Sequence, residues 1–392
     1  MKNDIEDFYG RAESLRNECL LKTEELYVAN RELWFSDFAG HFKATCEKIK
    51  QMQDESALPA ISYLEYTVLY TRIINRDYSA QVRVYNEESY LDENQQAVCD
   101  HDVSSLFVHY GELWDGLMKL ERYFVNTPLM DHAKTFFLDS LPSFYAYLTK
   151  TARRSMAGIV ESGALDFIKK NDRFVISVGE YMAMKTPAYV EDRLRNAKKI
   201  SRWFGKNLGG KYMFGDYSDL DFSGQVFQSI DFSYSRFKGS NLSRASLIFS
   251  SLVGANFSGA NMEECLLNGC AIHEADFSDA VLRNANFAGA KAKTGLFDKS
   301  KWKHVGFMPA SFRKSDLSGA DFSFAILDGT DFSGANLAGA SFMGATLTDL
   351  NFADATMDGA KFDMTQKDTL ALSQEQLEAV EFIEPIHQED EL

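Results

Sequence analysis

A large apolar residue recurs at every fifth position through most of the second half of the chain. The series runs from about Tyr217 to Phe362 without a change of register. Two positions earlier stands a small residue, as at Ala255, and Asp or Asn often comes just before the large residue, as at Asn256. A period of five fits neither the 3.6 of an α-helix nor the two of a flat strand. It predicts a coil that turns every five residues, with the large side chains on its axis.

Four such turns close a coil of about 20 residues, and stacked coils lie about 4.8 Å apart, as hydrogen-bonded strands do. Recurring Ser-Gly-Ala and Ala-Gly-Ala triplets provide turns without bulk. Residues 290–312 depart from the pattern, because Ala292 stands where a large residue is expected and Pro309 follows. Since the register continues through Phe297, Trp302 and Phe307, this stretch is predicted to be a distorted coil or bulged corner and not an inserted domain.

These residues resemble the pentapeptide-repeat family, whose pattern is A(D/N)LXX. The clearest stretches are GANFSGANM at 254–262, residues 318–347, and GAKF at 359–362. The resemblance covers about two-fifths of the chain. It implies that residues 211–363 form a right-handed quadrilateral parallel β-helix of about seven coils, which acts as a non-enzymatic binding surface.

Residues 364–392 are predicted to form a short C-terminal capping helix and an acidic tail. Ser373 and Gln376 have the spacing of a capping box. A solenoid end needs such a cover, since an open coil exposes strand edges. Some related proteins dimerise through an element of this kind. The alternative to a cap is therefore a homodimer contact at Phe382 and Ile383.

Residues 1–210 are predicted to form an α-helical domain, a bundle of six to eight helices. Apolar residues recur at helical spacing from Ile5 to Cys19 and from Leu113 to Phe124. A third helix is predicted to begin at Thr186 and to continue to Phe204, whereas residues 81–92 favour a short strand or an irregular turn. The expected fold class is an α + β solenoid, a helical bundle followed by a β-helix. The residues of the first domain indicate no family.

Charge is unevenly distributed along the chain. The net charge is −16, and residues 211–392 hold 26 Asp and Glu against 14 Lys and Arg. This balance argues against direct nucleic-acid binding, because phosphate contacts need clustered Lys and Arg. Asp316, Asp321 and Asp331 precede large residues, so they are expected to bond to backbone at the turns.

Two charged sets lie outside that position and are candidate partner-binding surfaces. The acidic set is expected to point outward and consists of Asp328, Asp349, Asp354, Asp358 and Asp363. The basic set lies in and after the irregular stretch and consists of Lys299, Lys301, Lys303, Arg313 and Lys314. Each set also has an interpretation without a partner: the acidic residues belong to the repeat pattern, and the basic residues lie on a solvated irregular coil.

The sequence shows no motif for catalysis or for holding a metal or cofactor. It has no GxSxG, P-loop, dinucleotide-binding glycine pattern or HExxH. Cys99, His101 and His109 form its one Cys/His cluster, and their spacing is not typical of a metal site. No long apolar segment or signal-peptide pattern is seen, so a cytoplasmic protein without membrane contact is expected.

Three functions remain open at this point. The first is a non-enzymatic module or scaffold that binds another protein. The second follows from the resemblance: a mimic of DNA that binds, inhibits or protects bacterial DNA gyrase or a related topoisomerase. The third is an unrecognised enzyme in the N-terminal domain. A DNA mimic requires acidic groups that continue along one face, and a scaffold does not.

Overall fold

The computed structural model describes residues 2–92, 95–181, 183, 185–193, 212–295 and 306–385. The chain forms two compact units. The first comprises Met1–Leu194 with Asp298–Gly306, and the second comprises Arg195–Phe297 with Phe307–Leu392. The predicted boundary near residue 210 lies outside the described residues and stays a prediction. Over the described ranges, none of the helices combines the length and apolar character needed to cross a membrane.

The helices of the first unit include one that is unusually long. They are α1 (Lys2–Asp54), α2 (Tyr70–Ile74), α3 (Val108–Tyr123) and α4 (Met130–Glu161). Helices α1, α3 and α4 pack on one another. Of the apolar positions that predicted the first helix, Phe8, Ala12 and Cys19 are buried and Ile5 and Leu15 are half-buried, because residues spaced by three or four share one helix face. The predicted helices at Ile5–Cys19 and Leu113–Phe124 are confirmed, the second ending at Tyr123.

The first unit also contains a five-stranded mixed sheet. Its strands are β1 (Ile61–Val68), β2 (Ser79–Tyr85), β3 (Gln96–Asp102), β4 (Lys170–Glu180) and β5 (Lys185–Asp192). The order is β3-β2-β1-β4-β5. Strands β1 and β4 are parallel, and the other neighbours are antiparallel. The chain between β1 and β4 holds α3 and α4, as a parallel pair needs a long crossover.

The predicted helical region is present, but the prediction of a helical bundle was wrong, because this unit also contains a five-stranded sheet. Thr186 and Val190, expected in a helix, lie in β5, and the rest of that predicted helix, to Phe204, falls outside the described residues. Strand β1 is buried on both of its sides and so lacks a clear alternation of apolar and polar residues. Periodicity cannot distinguish such a short apolar run from part of a helix. The strand favoured within residues 81–92 is present as the end of β2.

Three carboxylates are buried in the described part of the first unit, and each has a partner. Asp92 Oδ2 accepts a hydrogen bond from the Asn86 N–H at 2.7 Å. The Lys185 Nζ lies 2.8 Å from Glu65 Oε2, with the side chains only 8% and 4% exposed. Glu24 Oε2 accepts hydrogen bonds from the Tyr147 hydroxyl at 2.7 Å and from the Gly306 N–H at 3.0 Å. Burial raises the pKa of Glu24. Gly306 belongs to the first unit, so this bond lies within that unit.

The second unit is a stack of coils, each made of four five-residue turns. Parallel bridges join residues four repeats apart, such as Asp216 with Arg236 and Asn256 with Asp276. Every fifth residue has a positive φ, from Phe214 to Gly289 and again from Lys314 to Gly359. Around most of these residues the chain closes a turn like that between the Leu252 carbonyl and the Ala255 N–H, at 3.0 Å. The predicted five-residue repeat is confirmed.

The large residues form four columns inside the coils, one for each side, which we number as faces 1 to 4. Face 1 holds Tyr217, Phe237, Phe257, Phe277, Phe312, Phe332 and Phe352. Face 2 holds Phe222, Leu242, Met262, Leu282, Leu317, Leu337 and Met357. Face 3 holds Phe227, Leu247, Leu267, Phe287, Phe322, Phe342 and Phe362. Face 4 holds Phe232, Leu252, Ile272, Ala292, Leu327 and Leu347. The outward residues of each side take the same face number.

The irregular stretch is an insertion between two coils. Before it, Ala271 bridges to Lys291, four repeats further along the chain. After it, Asp276 bridges to Ser311, seven repeats further along, so a length of chain equal to three repeats leaves the coil. Because that length is a whole number of repeats, the sequence register continues unchanged.

The insertion corrects the expectation for this stretch. Phe307 lies off the axis, where its ring stacks on His273 at 4.7 Å. Of the two predicted forms, the distorted coil is therefore wrong, and the bulged corner stays a prediction, because residues 296–305 lie outside the described residues. Phe297 and Trp302 lie outside the described residues.

Short strands and a helix follow or join the coils. They are β6 (Lys291–Ala292), β7 (Ile326–Asp328), β8 (Thr346–Thr348), β9 (Lys361–Asp363), α5 (Gln374–Ala379) and β10 (Glu381–Ile383). Strand β10 pairs in parallel with β9. Ser373 and Gln376 form the capping box at the start of α5, as their spacing predicts. The Phe382 ring lies 6.2 Å from that of Phe362 and so follows the column of face 3.

Candidate interaction surface

The Asp or Asn before each large residue serves the fold of the coils. Asp221 Oδ1 accepts a hydrogen bond from the Ser223 N–H at 3.0 Å. The same bond, to the N–H two residues later, is made by Asp316, Asp321 and Asp331 at 3.3, 2.9 and 2.9 Å. These side chains satisfy an N–H that the ladder between coils does not use. Their predicted backbone role is confirmed.

The acidic candidates do not share a face. Asp328 and Asp349 belong to face 4, Asp354 to face 1, and Asp358 to face 2, so these four encircle the last coils. Asp349, Asp354 and Asp358 are exposed and Asp328 is half-buried. A partner that contacts one side of the coils meets at most two of them.

Asp363, the fifth acidic candidate, is buried on face 3. Its Oδ2 accepts a hydrogen bond from the Gly344 N–H at 2.8 Å. Its backbone N–H donates to Gln366 Oε1 at 3.0 Å, which completes a capping box at a short 3-10 turn. The expectation that this carboxylate points outward was wrong, because it holds the chain where it leaves the last coil.

Only part of the basic candidate set falls on the described residues. Arg313 and Lys314 are exposed on face 1, and Arg313 Nε lies 3.8 Å from Asp331 Oδ2. Lys299, Lys301 and Lys303 lie outside the described residues. A basic patch that joins all five stays a prediction.

Acidic and basic residues are interspersed along faces 1 and 2. Arg236 pairs with Asp216 at 3.1 Å on face 1, and Arg244 pairs with Glu264 at 2.9 Å on face 2. Arg283, also on face 2, lies 3.2 Å from Glu263. Exposed pairs of this kind contribute only about 0–1 kcal/mol each to stability. They do neutralise the acidic groups locally, so neither face is continuously acidic over the described coils.

Face 3 differs from the others because its first four coils carry no charged residue. Their segments are 225–229, 245–249, 265–269 and 285–289, with the sequences QVFQS, ASLIF, CLLNG and ANFAG. This face, with its extension in β10, also holds every exposed large apolar side chain of residues 212–295 and 306–385: Val226, Phe249, Leu266, Phe324, Met364 and Ile383. Exposed apolar residues gathered on one side are typical of an interaction surface.

Two aromatic rings stand at the corner of face 3 and are supported from one side only. Phe249 and Phe324 have φ of 57° and 59°, uncommon for aromatic residues. Each ring lies over a glycine of the next coil: a Cβ on Gly269 or Gly344 would come within 2.5 Å of Phe249 or Phe324. The glycines let the rings lie close to the backbone, yet 70% and 61% of these residues stay exposed. Contacts within the coils therefore cover one side of each ring and leave the other side exposed.

Face 3 also carries unpaired hydrogen-bonding groups between its apolar side chains. Within the described chain, no atom accepts a hydrogen bond from the backbone N–H of Gln228, Ile248 or Asn268. In repeats such as that of Asp221, an Asp or Asn two residues earlier accepts from this N–H. Here that position holds Val226, Ser246 and Leu266. The Ser246 hydroxyl is buried and has no partner among the described atoms. The first three coils therefore combine apolar contact area with a row of free donors.

Histidines meet in the first unit, in an arrangement that the sequence did not indicate. The rings of His41 and His101 stack at 3.9 Å, and His41 Nε2 lies 3.8 Å from Cys99 Sγ. His109, grouped with Cys99 and His101 by spacing, pairs instead with Glu112. Burial, together with His101, lowers the pKa of His41 to about 4. The described part of the chain contains no group of three side chains suited to a metal.

Comparison with known proteins identifies the repeats. The family model for pentapeptide repeats matches eight copies, at residues 226–263, 260–293, 310–334 and 325–363. The unmatched residues between 293 and 310 coincide with the insertion. No curated protein is similar to this chain.

Several solved structures are similar over the repeats. A pentapeptide repeat protein of the Arabidopsis thaliana thylakoid lumen is 30% identical over 29% of this chain and 68% of its own, with a TM-score of 0.25. HetL, involved in heterocyst differentiation regulation in Nostoc sp., is 27% identical over 38% and 77%, with a TM-score of 0.16. Trypsin-treated QnrB1, a plasmid-mediated fluoroquinolone resistance protein, is 18% identical over 43% and 75%, with a TM-score of 0.26. Through its C-terminal coils, this chain belongs to the pentapeptide-repeat family.

Proposed function

We propose that this chain is a non-enzymatic interaction module that binds a protein partner through face 3. The observation that carries the proposal is the composition of that face, which is uncharged over four coils and holds the exposed apolar side chains of the repeats. Interfaces between proteins are depleted of charge at their centres and enriched in aromatic residues. Phe249 and Phe324 are the central contacts in this proposal.

The test compares capture of partners from the source organism by three forms of the full chain. One is unchanged, one carries Phe249→Asn and Phe324→Asn, and the control carries Tyr234→Asn. Tyr234 has the same position in its repeat, on face 4, and its ring likewise lies over a glycine. Asn preserves the turn, since Asn284 adopts a φ of 55° at the equivalent position. We expect the double variant alone to lose the partner; equal capture by all three would contradict the proposal.

A DNA mimic is the second candidate, motivated by the net charge of residues 211–392 and by membership of the pentapeptide-repeat family. The basic residues interspersed among the acidic ones on faces 1 and 2 favour the interaction module over this candidate. Supercoiling by DNA gyrase, with and without a fluoroquinolone, distinguishes the two. Inhibition or protection that is lost when Asp349, Asp354 and Asp358 become Lys would establish the mimic. The interaction module predicts no effect at tens of micromolar.

Catalysis in the first unit is the third candidate, and its geometry gives this little support. The histidine that approaches Cys99 is stacked on a second histidine, and its Nε2 lies 3.2 Å from the Asp100 carbonyl. With a pKa of about 4, His41 is neutral at pH 7. The His41 nitrogen nearest the Cys99 thiol, Nε2, is hydrogen-bonded to the Asp100 carbonyl. It is therefore not placed to accept the thiol proton.

The form of the module belongs to the same proposal. We infer a right-handed, four-sided coil over residues 211–363, an N-terminal domain over 1–210, and a C-terminal cap within 364–392. Gln376 Nε2 donates to the Phe352 and Ala355 carbonyls at 2.8 and 3.0 Å, and this favours a cap over a dimer contact. Sedimentation of the full chain tests this, since a dimer that Phe382→Ser dissociates would contradict it.

A further inference from the structure

The free donors of face 3 restrict what can bind there. The N–H groups of Gln228, Ile248 and Asn268 occupy the same position in three successive coils, and none has an acceptor among the described residues. Because coils stack about 4.8 Å apart, the donors form a row with that spacing. An N–H that is buried unpaired costs about 1–3 kcal/mol. A partner that covers this row must therefore bring acceptors at a similar spacing.

An extended peptide does not meet this requirement. Its carbonyls on one side recur about every 6.6–6.8 Å, which does not match the row. Its own N–H groups also need acceptors, and the carbonyls of these coils are already used along the axis. Ile248 and Asn268, for example, accept from the Ser229 and Phe249 N–H groups at 3.1 and 2.9 Å.

An α-helix can present acceptors at a spacing close to that of the donor row. The backbone of a helix satisfies its own hydrogen bonds, and side chains three or four residues apart lie about 5–6 Å from each other. A row of Gln, Asn or Glu at that spacing lies opposite the free N–H groups. Val226 and Leu266 border the donor row on one side and Phe249 borders it on the other, so apolar residues must flank the acceptors. The uncharged coils repel neither amides nor carboxylates.

We propose that face 3 binds an amphipathic α-helix of a partner protein, laid along the coil axis, with a row of acceptor side chains between apolar residues. This inference rests on the proposed function and specifies its partner. Phe324 stands three coils beyond Phe249, about 14 Å away at the coil spacing. That distance corresponds to about nine residues of helix. The partner helix therefore carries apolar anchors about nine residues apart.

The experiment presents the full chain with two pools of peptides of equal composition, each long enough to form a helix at about 22 residues. Both pools contain Leu, Ile, Phe and Met with Gln and Glu; one arranges them at helical spacing, and the other alternates them as in a strand. We expect the helical pool to be enriched on the chain by about tenfold or more, and this enrichment to disappear with Phe249→Asn and Phe324→Asn. Enrichment of neither pool, or equal enrichment of both, would overturn the proposal.

A milder variant tests the donor row without removing an apolar contact. In Ser246→Asn, the new amide is placed to accept from the Ile248 N–H, as Asn286 accepts from the Ala288 N–H at 2.9 Å. We expect the selected helices to bind about threefold to tenfold more weakly, because one donor is withdrawn. Thr356→Asn makes the same kind of change on face 2 and is the matched control. Equal binding by the chain and its Ser246→Asn form would contradict the role of the donors.

The two proposals fail in different ways. Capture of the natural partner does not depend on its secondary structure. If capture is lost with Phe249→Asn and Phe324→Asn while the helical pool is not enriched, face 3 binds a partner of another form and only the helix is excluded. If capture is unchanged in that variant, both the proposed function and the helix are excluded.

Discussion

The two units of this chain obtain their stability from different kinds of contact. In the coils, the large residues pack on their equivalents one coil away, as the rings of Phe257 and Phe277 do at 5.1 Å, and most turns are closed by a hydrogen bond within five residues. In the first unit, β1 pairs with β4 across more than a hundred residues, and Glu65 meets Lys185 from another strand. Changes in the coils should therefore act locally, whereas changes in the first unit should affect all of it.

The largest effect is expected at the buried ion pair of the first unit. Lys185→Met leaves the Glu65 carboxylate without its cation, and this should cost about 3–5 kcal/mol. Chemical denaturation followed by tyrosine and tryptophan fluorescence measures the loss. Glu65→Leu with Lys185→Met should recover most of it, and hydrogen exchange in the coils should not change. A single variant as stable as the unchanged chain would show that the pair contributes little.

A smaller effect is expected when either of two glycines of the coils is replaced by alanine. The two have the same backbone φ but different neighbouring side chains. Gly339 and Gly344 both have φ of +68°, and a side chain there costs about 1–2 kcal/mol of backbone strain. A Cβ on Gly339 meets nothing within 4 Å, while one on Gly344 meets the Phe324 ring at 2.5 Å. Gly344→Ala should therefore destabilise more than Gly339→Ala.

Hydrogen exchange resolved along the chain measures this difference coil by coil. Protection should fall in the coils next to the substitution and not in the first unit. Uniform loss of protection through both units would show that changes in the coils do not act locally.

The histidine stack should make the stability of the first unit depend on pH. The pKa of His41 is lowered to about 4 in the folded chain, from an ordinary value near 6.5. Above about pH 6.5 the ring is neutral in both states and stability is complete. As pH falls towards 4, the unfolded chain binds the proton first, so stability decreases.

Thermal unfolding between pH 7 and 4 measures this dependence. The charged neighbours that act on His41 include Asp37 and Lys48, and the protonation of His101 adds to the same trend. His41→Gln should flatten the profile. An unchanged slope in that variant would assign the dependence to other groups.

The smallest effect is expected at the exposed ion pairs of the coils. Arg244→Gln removes the pair with Glu264, whose side chains are 76% and 49% exposed, and should cost less than about 1 kcal/mol. It should also leave partner capture unchanged, because Arg244 lies on face 2. Denaturation and the capture assay together check both statements, and a lost partner would move the binding surface to face 2.

The same contrast explains how much the sequence could predict. The period of five depends on local geometry, so it identified the buried columns and the Asp turns directly. It could not reveal the insertion, because added chain equal to three whole repeats preserves a period of five. It also placed Asp363 outward, although the chain leaves the coil there and turns that carboxylate towards Gly344.

The first unit was harder to predict because its sheet depends on distant partners. Neither β1 nor β5 has a pattern that distinguishes strand from helix, and their pairing is set by β4. Face 3 was present in the sequence as QVFQS, ASLIF and CLLNG, each four repeats after the one before. Sorting the outward positions by every fourth repeat would have shown that one side lacks charge. The acidic candidates share a charge and not a face, so charge alone does not identify a surface.

The most direct test of the binding surface is a photo-crosslinking scan around one coil. A photoreactive phenylalanine analogue is placed at Tyr234, Gly239, Arg244 or Phe249, equivalent positions on faces 4, 1, 2 and 3, and the full chain is irradiated with extract of the source organism. We expect a discrete protein adduct from position 249 and from none of the others. Adducts from position 239 or 244 without one from 249 would contradict this expectation and would place the partner on the charged faces.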